Sequence, residues 1–159
     1  MKSARFAVFA ALAALALAPA AHAKLSPTES RMAETVKAEQ GRSIALLERL
    51  VNQNSGTLNL AGVEKVAEMM RAELEPLGFT VTWKPTPETK RAGHLIAVHR
   101  GRADGKKMLL IAHLDTVFEP DSPFQTFTRK DGWGEGPGAG DDKGGMVVIV
   151  AALRAMKAA

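Results

Sequence analysis

Met108-Leu109-Leu110-Ile111-Ala112 runs without a break into His113-Leu114-Asp115-Thr116. A short, solid apolar run of this kind reads as a strand covered on both faces, the habit of parallel and mixed sheets. Ligands of open α/β sheets bind just beyond the carboxyl ends of the strands, and His113 stands at that position. On an extended backbone, residues two apart share a side, so the Asp115 carboxylate is expected beside the His113 imidazole. Such a carboxylate can accept the proton of the far ring nitrogen, which leaves the near one a better metal ligand. A buried histidine merely satisfied by its neighbouring aspartate would carry the same two residues.

On the N-terminal side of this run the period is helical. Ser26-Pro27-Thr28-Glu29 carries a capping signature, with Ser26 as N-cap, Pro27 at the first helical position and Glu29 three residues after the cap. Ile44, Leu47, Leu50 and Val51 form a second apolar face, which the turn residues of Asn52 to Thr57 end. Val63, Val66, Ala67, Met70 and Leu74 form a third, stopped by Pro76 and Gly78. The period then changes to two. Phe79 to Trp83 alternates as a strand, Pro85 to Pro87 reads as a loop, and Leu95 to Val98 is a second strand. His94 and His99 flank it without acidic partners and are read as structural or exposed.

On the C-terminal side lies a polar, glycine-rich stretch from Phe118 to Gly145, with a short strand expected near Phe124 to Thr128. Met146 to Met156 follows as an apolar helix. Helices alternating with strands predict an α/β fold: a layered, mixed or mostly parallel sheet flanked by helices.

Gly132-Trp133-Gly134-Glu135-Gly136-Pro137-Gly138-Ala139-Gly140-Asp141-Asp142-Lys143-Gly144-Gly145 is the second segment of chemical interest. So many glycines indicate backbone held where other residues resist. A phosphate loop fails on register, since neither the dinucleotide nor the nucleotide-triphosphate glycine pattern fits, and paired carboxylates would repel a phosphate. The spacing of a calcium loop is absent as well. A carboxylate pair at the mouth of such a loop suits a divalent cation; a plain acidic surface turn is the alternative. Glu135 is read as a surface position of the loop rather than a catalytic base.

Composition narrows the chemistry further. The 159-residue chain has no cysteine, so any metal must be held by His and carboxylates. Its formal charge is +4, of which Lys2 and Arg5 supply two. That small excess gives no clustered basic face for nucleic acid. Lys2, Arg5, the apolar run Phe6 to Ala18, Pro19 and the small-x-small site Ala21-His22-Ala23 together predict a signal peptide over residues 1–23. The apolar run is short of the ~20 residues of a membrane span. Residues 24–159 are then the mature domain, exported to the periplasm or secreted, with no membrane anchor after cleavage.

His113-x-Asp115-Thr116-Val117 after a strand, and then Gly136-Pro137-Gly138-x-x-Asp141-Asp142-Lys143-Gly144-Gly145, resemble the M20 family of metallopeptidases, and in particular its glutamate carboxypeptidase branch. The similarity extends from about Leu46 to Ala158 and includes Leu46-Leu-Glu-Arg-Leu-Val51 and Leu77-Gly-Phe-Thr-Val81. The resemblance implies a zinc-exopeptidase-like catalytic domain with two divalent cations, zinc by family habit. It implies His113 as ligand of one, Asp141 as the carboxylate bridging both, and Asp115 as the catalytic-site carboxylate that orients His113. It further implies a cis peptide at Asp141–Asp142, with Asp142 structural, and a homodimer for the whole enzyme. The substrate would be a small peptide or N-acyl amino acid that releases a C-terminal glutamate-like residue. An aminoacylase or desuccinylase of the same family, or a non-catalytic exported binding domain, are the competing readings. Family members also carry a Glu-Glu pair, a further acidic ligand and a final His beyond the bridging Asp, whereas residues 144–159 contain no Asp, Glu or His. The chain is therefore expected to be the N-terminal portion of the catalytic domain, lacking the general base and inactive alone.

Overall fold

The computed structural model describes residues 24–159; the expected signal peptide lies outside the described residues. Three helices open the chain: α1 (Pro27–Ala38), α2 (Gln40–Asn52) and α3 (Leu60–Leu74). The start of α1 follows from its sequence. Ser26 Oγ accepts from the Glu29 amide at 3.2 Å, and the Glu29 carboxylate accepts from the Ser26 amide at 2.7 Å, so two otherwise orphaned donors are satisfied reciprocally. At the end of α3 the chain tightens into a 3₁₀ turn, Glu75–Leu77, and Gly78 leaves it in the left-handed region at φ 96°.

Strand β1 (Thr80–Thr86) pairs antiparallel with β2 (Arg91–Val98). The strand continues through Pro85, which was expected in a loop. Pro85 sits on a two-stranded ribbon, where a missing donor is tolerated, and the register shifts immediately after it. The turn itself is Pro87–Thr89, closed by Lys90 at φ 56°. The other sheet is a small hairpin, β3 (Thr128–Lys130) and β4 (Trp133–Glu135). Asp131 and Gly132 join its strands, both at positive φ (51° and 82°), as a two-residue hairpin turn of the primed type requires. The strand expected at Phe124 to Thr128 is thus displaced toward the C-terminus, because the turn residues set its register. The final helix, α4, spans Gly144–Ala158.

The core lies between the helices and β1. Leu46 and Leu50 of α2, Val66, Met70 and Leu74 of α3, Val81 of β1, and Met146, Val147 and Val150 of α4 form one buried cluster. Helices and antiparallel ribbons are therefore packed together, in keeping with an α/β class. The layered parallel sheet is not formed among the described residues. The only parallel pairing there is a single bridge between Gly56 and Thr116. The run Met108–Ala112, expected as a buried strand, pairs with no other strand, and Met108, Leu109 and Ile111 are 79, 81 and 80% exposed. The physical reason is direct: no neighbouring strand of residues 24–159 lies alongside to satisfy its backbone groups or cover its faces.

Polar contacts fasten the helices to one another. Arg154 of α4, itself buried, is paired with Glu73 of α3 and lies 3.7 Å from Glu39 at the α1–α2 junction. Arg49 and Arg42 of α2 approach the same Glu73 at 3.0 and 3.7 Å. No described helix is long and apolar enough to cross a membrane.

Candidate metal centre

Three loops meet where the chemistry was expected. The first runs from Ala112 to Val117, the second from Gly136 to Lys143, and the third is the connection between α2 and α3, residues 53–59. The connection is held to the first loop by backbone pairing: Thr116 donates to the Ser55 carbonyl at 2.8 Å and Thr57 to the Thr116 carbonyl at 3.0 Å. Asn54 adds a hub of side-chain bonds, donating to the Phe118 carbonyl (3.0 Å) and to Gln125 (2.8 Å) and accepting from Gly56 and Asn59.

Gly138 brings the second loop against the first. Its φ is +73°, and a Cβ there would collide with the Thr116 methyl. From Gly138 the chain makes a wide turn, Ala139–Lys143, in which Asp141 leaves helical geometry (φ −140°, ψ 94°) before α4 begins. The Asp141–Asp142 peptide is cis.

His113 and Asp141, 28 residues apart in sequence, are brought together: Nε2 lies 2.8 Å from Asp141 Oδ1. Both side chains are open to solvent on that side. On the other ring edge, Nδ1 is 3.0 Å from the Asp115 backbone carbonyl. A carbonyl can only accept, so Nδ1 is the donor. The Asp115 carboxylate is behind, with Oδ1 at 3.4 Å. The carbonyl, rather than the expected carboxylate, takes the shorter contact, because the chain turns back at Thr116 to pair with the α2–α3 connection. Its second oxygen, Oδ2, accepts from the Thr57 hydroxyl at 2.6 Å. The hydrogen bond to Asp141 raises the His113 pKa above the ordinary 6.5; partial burial opposes the rise, and the Asp115 carbonyl adds to it.

Asp142 points elsewhere. Its carboxylate stands against Gly145 in the first turn of α4, where an anion meets the positive helix end. Lys143 is buried, and its ammonium donates to the Gln53 carbonyl at 2.9 Å; burial pushes its pKa down to about 8. Glu135 is exposed on β4, as are His94 on β2 and His99 just after it; the His99 ring packs 5.2 Å from that of Phe79. Thr57 and Lys143 carried no functional weight in the sequence reading. The turn Asn52 to Thr57 was legible only as a helix stop, and Lys143 only as a motif letter.

The donor set fits a cation in part. An imidazole nitrogen and a carboxylate oxygen face each other with the far ring nitrogen already occupied, as a ligating histidine requires. No third His, Asp or Glu joins them among the described residues, whereas a catalytic zinc takes three protein ligands.

Residues 109–159 match peptidase family M20/M25/M40. The chain is 37% identical over 123 residues to Carboxypeptidase G2 of Pseudomonas sp. (strain RS-16), covering 75% of this chain and 29% of that protein. It is 30% identical over 125 residues to Succinyl-diaminopimelate desuccinylase of Leptothrix cholodnii, covering 74% and 31%. It is 36% identical over 96 residues to Acetylornithine deacetylase of Proteus mirabilis, covering 57% and 24%. The chain is thus similar to the M20 metallopeptidases, and by their names the three relatives are a carboxypeptidase, a desuccinylase and a deacetylase. The chain spans under a third of the length of the curated relatives it matches.

Proposed function

We propose that the whole protein is an exported two-zinc hydrolase that cleaves the amide bond of small peptides or N-acyl amino acids and releases a C-terminal glutamate-like residue. The observation that carries the reading is the convergence of His113 Nε2 and Asp141 Oδ1 at 2.8 Å from separate loops. His113 would ligate one cation through Nε2, and Asp141, whose exposed carboxylate stands beside that nitrogen, would bridge the pair. A bound pair of divalent cations supplies Lewis-acid polarisation of the carbonyl and a more acidic water. The residues of this chain hold and aim that centre. Nδ1 of His113 keeps its proton on the Asp115 carbonyl, which fixes the ring so that Nε2 points outward. Asp115 contributes negative charge behind the ring, and Asp141 would offset the repulsion between two cations. The general base and the remaining ligands would come from beyond Ala159. In that larger protein Met108–Ala112 would form a strand of a mixed or parallel sheet, and the enzyme would be a homodimer in the periplasm or medium.

The motif resemblance to the glutamate carboxypeptidase branch favours a glutamate-like leaving residue, and the likeness to a desuccinylase and a deacetylase keeps other N-acyl amino acids as the second reading. Full-length protein, purified with its metal, decides between them by its rates on an N-acyl glutamate and on N-acyl basic amino acids. Faster cleavage of the glutamate substrate, with two equivalents of zinc per chain, is expected. A protein that holds no metal and cleaves neither substrate overturns the reading.

A further inference from the structure

We infer that Thr57, in the connection between α2 and α3, is a positioning residue of the metal centre, acting through Asp115 on His113. The inference rests on the function proposed above and adds a residue to it. At 2.6 Å, the Thr57 Oγ1–Asp115 Oδ2 contact has the length of a charge-assisted O–H···O⁻ bond, whereas the same hydroxyl is 3.2 Å from the Thr116 carbonyl. The single hydroxyl proton therefore belongs mainly to the carboxylate. Donation to Oδ2 fixes the rotation of the carboxylate about its last bond and leaves Oδ1 turned to the imidazole edge, 3.4 Å from Nδ1. Without that donor the carboxylate, only partly buried, is free to turn toward water.

Thr57 itself is not free to move. Its amide donates to the Thr116 carbonyl, its neighbour Gly56 is bridged to Thr116, and Leu58 donates to Glu119 at 2.9 Å. The hydroxyl is thus carried on backbone that is already registered to the loop it serves. The same connection also accepts the Lys143 ammonium at Gln53, two residues past Asp141, so both halves of the centre are gauged against one short segment.

The test uses full-length protein in its cobalt-substituted and metal-free forms. Thr57→Val removes the hydroxyl at constant shape, and Thr57→Ser restores it. Thr57→Val is expected to weaken cobalt affinity, measured by chelator competition, by about 10-fold, the lower end for residues that orient a ligand. The visible absorption of the bound cobalt should shift, and kcat should fall with KM little changed. Thr57→Ser should recover affinity and spectrum. In an Asp115→Ala background, replacing Thr57 should change affinity less than 2-fold, because the two act in series. If Thr57→Val does not fold, Thr57→Ala takes its place in the same cycle. Unchanged affinity on removing the hydroxyl, no recovery with Ser, or a full effect persisting without Asp115 each overturn the role of Thr57. A wild-type protein that takes up no cobalt overturns instead the function on which it rests.

Discussion

The Thr116 methyl occupies the space that a Cβ on Gly138 would need, so the loop bearing Asp141 can lie against the turn after His113-x-Asp115 only with glycine at position 138. Two penalties then fall on any side chain there: the left-handed φ of +73° and the collision. Gly138→Ala is expected to destabilise the protein by about 2–4 kcal/mol. Gly140, two residues on, has open space and an ordinary φ, and Gly140→Ala should change stability by less than about 0.5 kcal/mol. Urea unfolding of the two variants in parallel checks the contrast; equal losses would show that the loops do not depend on this contact.

Neighbouring aspartates are expected to differ in kind. In the full-length enzyme Asp141→Ala should abolish hydrolysis of an N-acyl glutamate and lower the zinc content, since no other described carboxylate reaches the His113 ring at Nε2. Asp115→Asn keeps the shape but loses charge behind the ring, and metal affinity or rate should fall ~10–100-fold. Asp142→Asn should be milder than Asp141→Asn, because its carboxylate faces the first turn of α4. Equal loss at 141 and 142 would extend the bridge to both.

Arg154 gives a prediction about stability alone. It is buried and paired with Glu73, so Glu73→Ala strands most of a guanidinium in the interior and should cost about 3–5 kcal/mol. Replacing both partners, with Glu73→Leu and Arg154→Met, should recover most of that loss. Arg49→Ala, which removes an exposed partner of the same carboxylate, should cost under about 1 kcal/mol. Thermal unfolding of the four proteins would show whether the order holds.

Glu29 ties the start of α1 to pH. The Ser26 amide, and then the Ser26 hydroxyl, hold the Glu29 carboxyl below its ordinary value of 4.5. A carboxylate depressed in the folded state adds stability above that ordinary value and loses it as pH falls through the folded one. The first turn of α1 should therefore loosen as pH is lowered below 4.5, and Glu29→Gln should remove the dependence. Amide signals of residues 26–30, followed by NMR across that range, report it; an unchanged profile in Glu29→Gln would locate the effect elsewhere.

Local chemistry explains what could be read from the residues. The capping box at Ser26, the stop at Gly78 and the five apolar positions of α3 all rest on interactions within a few residues, and all are present. His113 and Asp141 were legible as a pair through motif and order, although their approach depends on Gly138. What was missed depends on partners distant in sequence. Asp131-Gly132 was read as part of one long glycine loop, because its strands are only three residues each. Thr57 gave no signal, since a threonine in a turn after a helix has many uses and its partner Asp115 lies 58 residues away. The strand at Met108 failed for the same reason in reverse: its own residues suit a sheet, but a ladder needs a second strand.

That uncovered run has a colloidal consequence. Apolar side chains beside unpaired backbone donors and acceptors form a template onto which a second strand can add, in this molecule or another. Met108 to Ile111 carry no charge, but Lys106 and Lys107 stand immediately before them, both exposed. The two ammonium groups act as gatekeepers, since stacking copies in register would bring like charges together. Self-association of residues 24–159 through this run should therefore increase when salt screens the doublet or acetylation neutralises it.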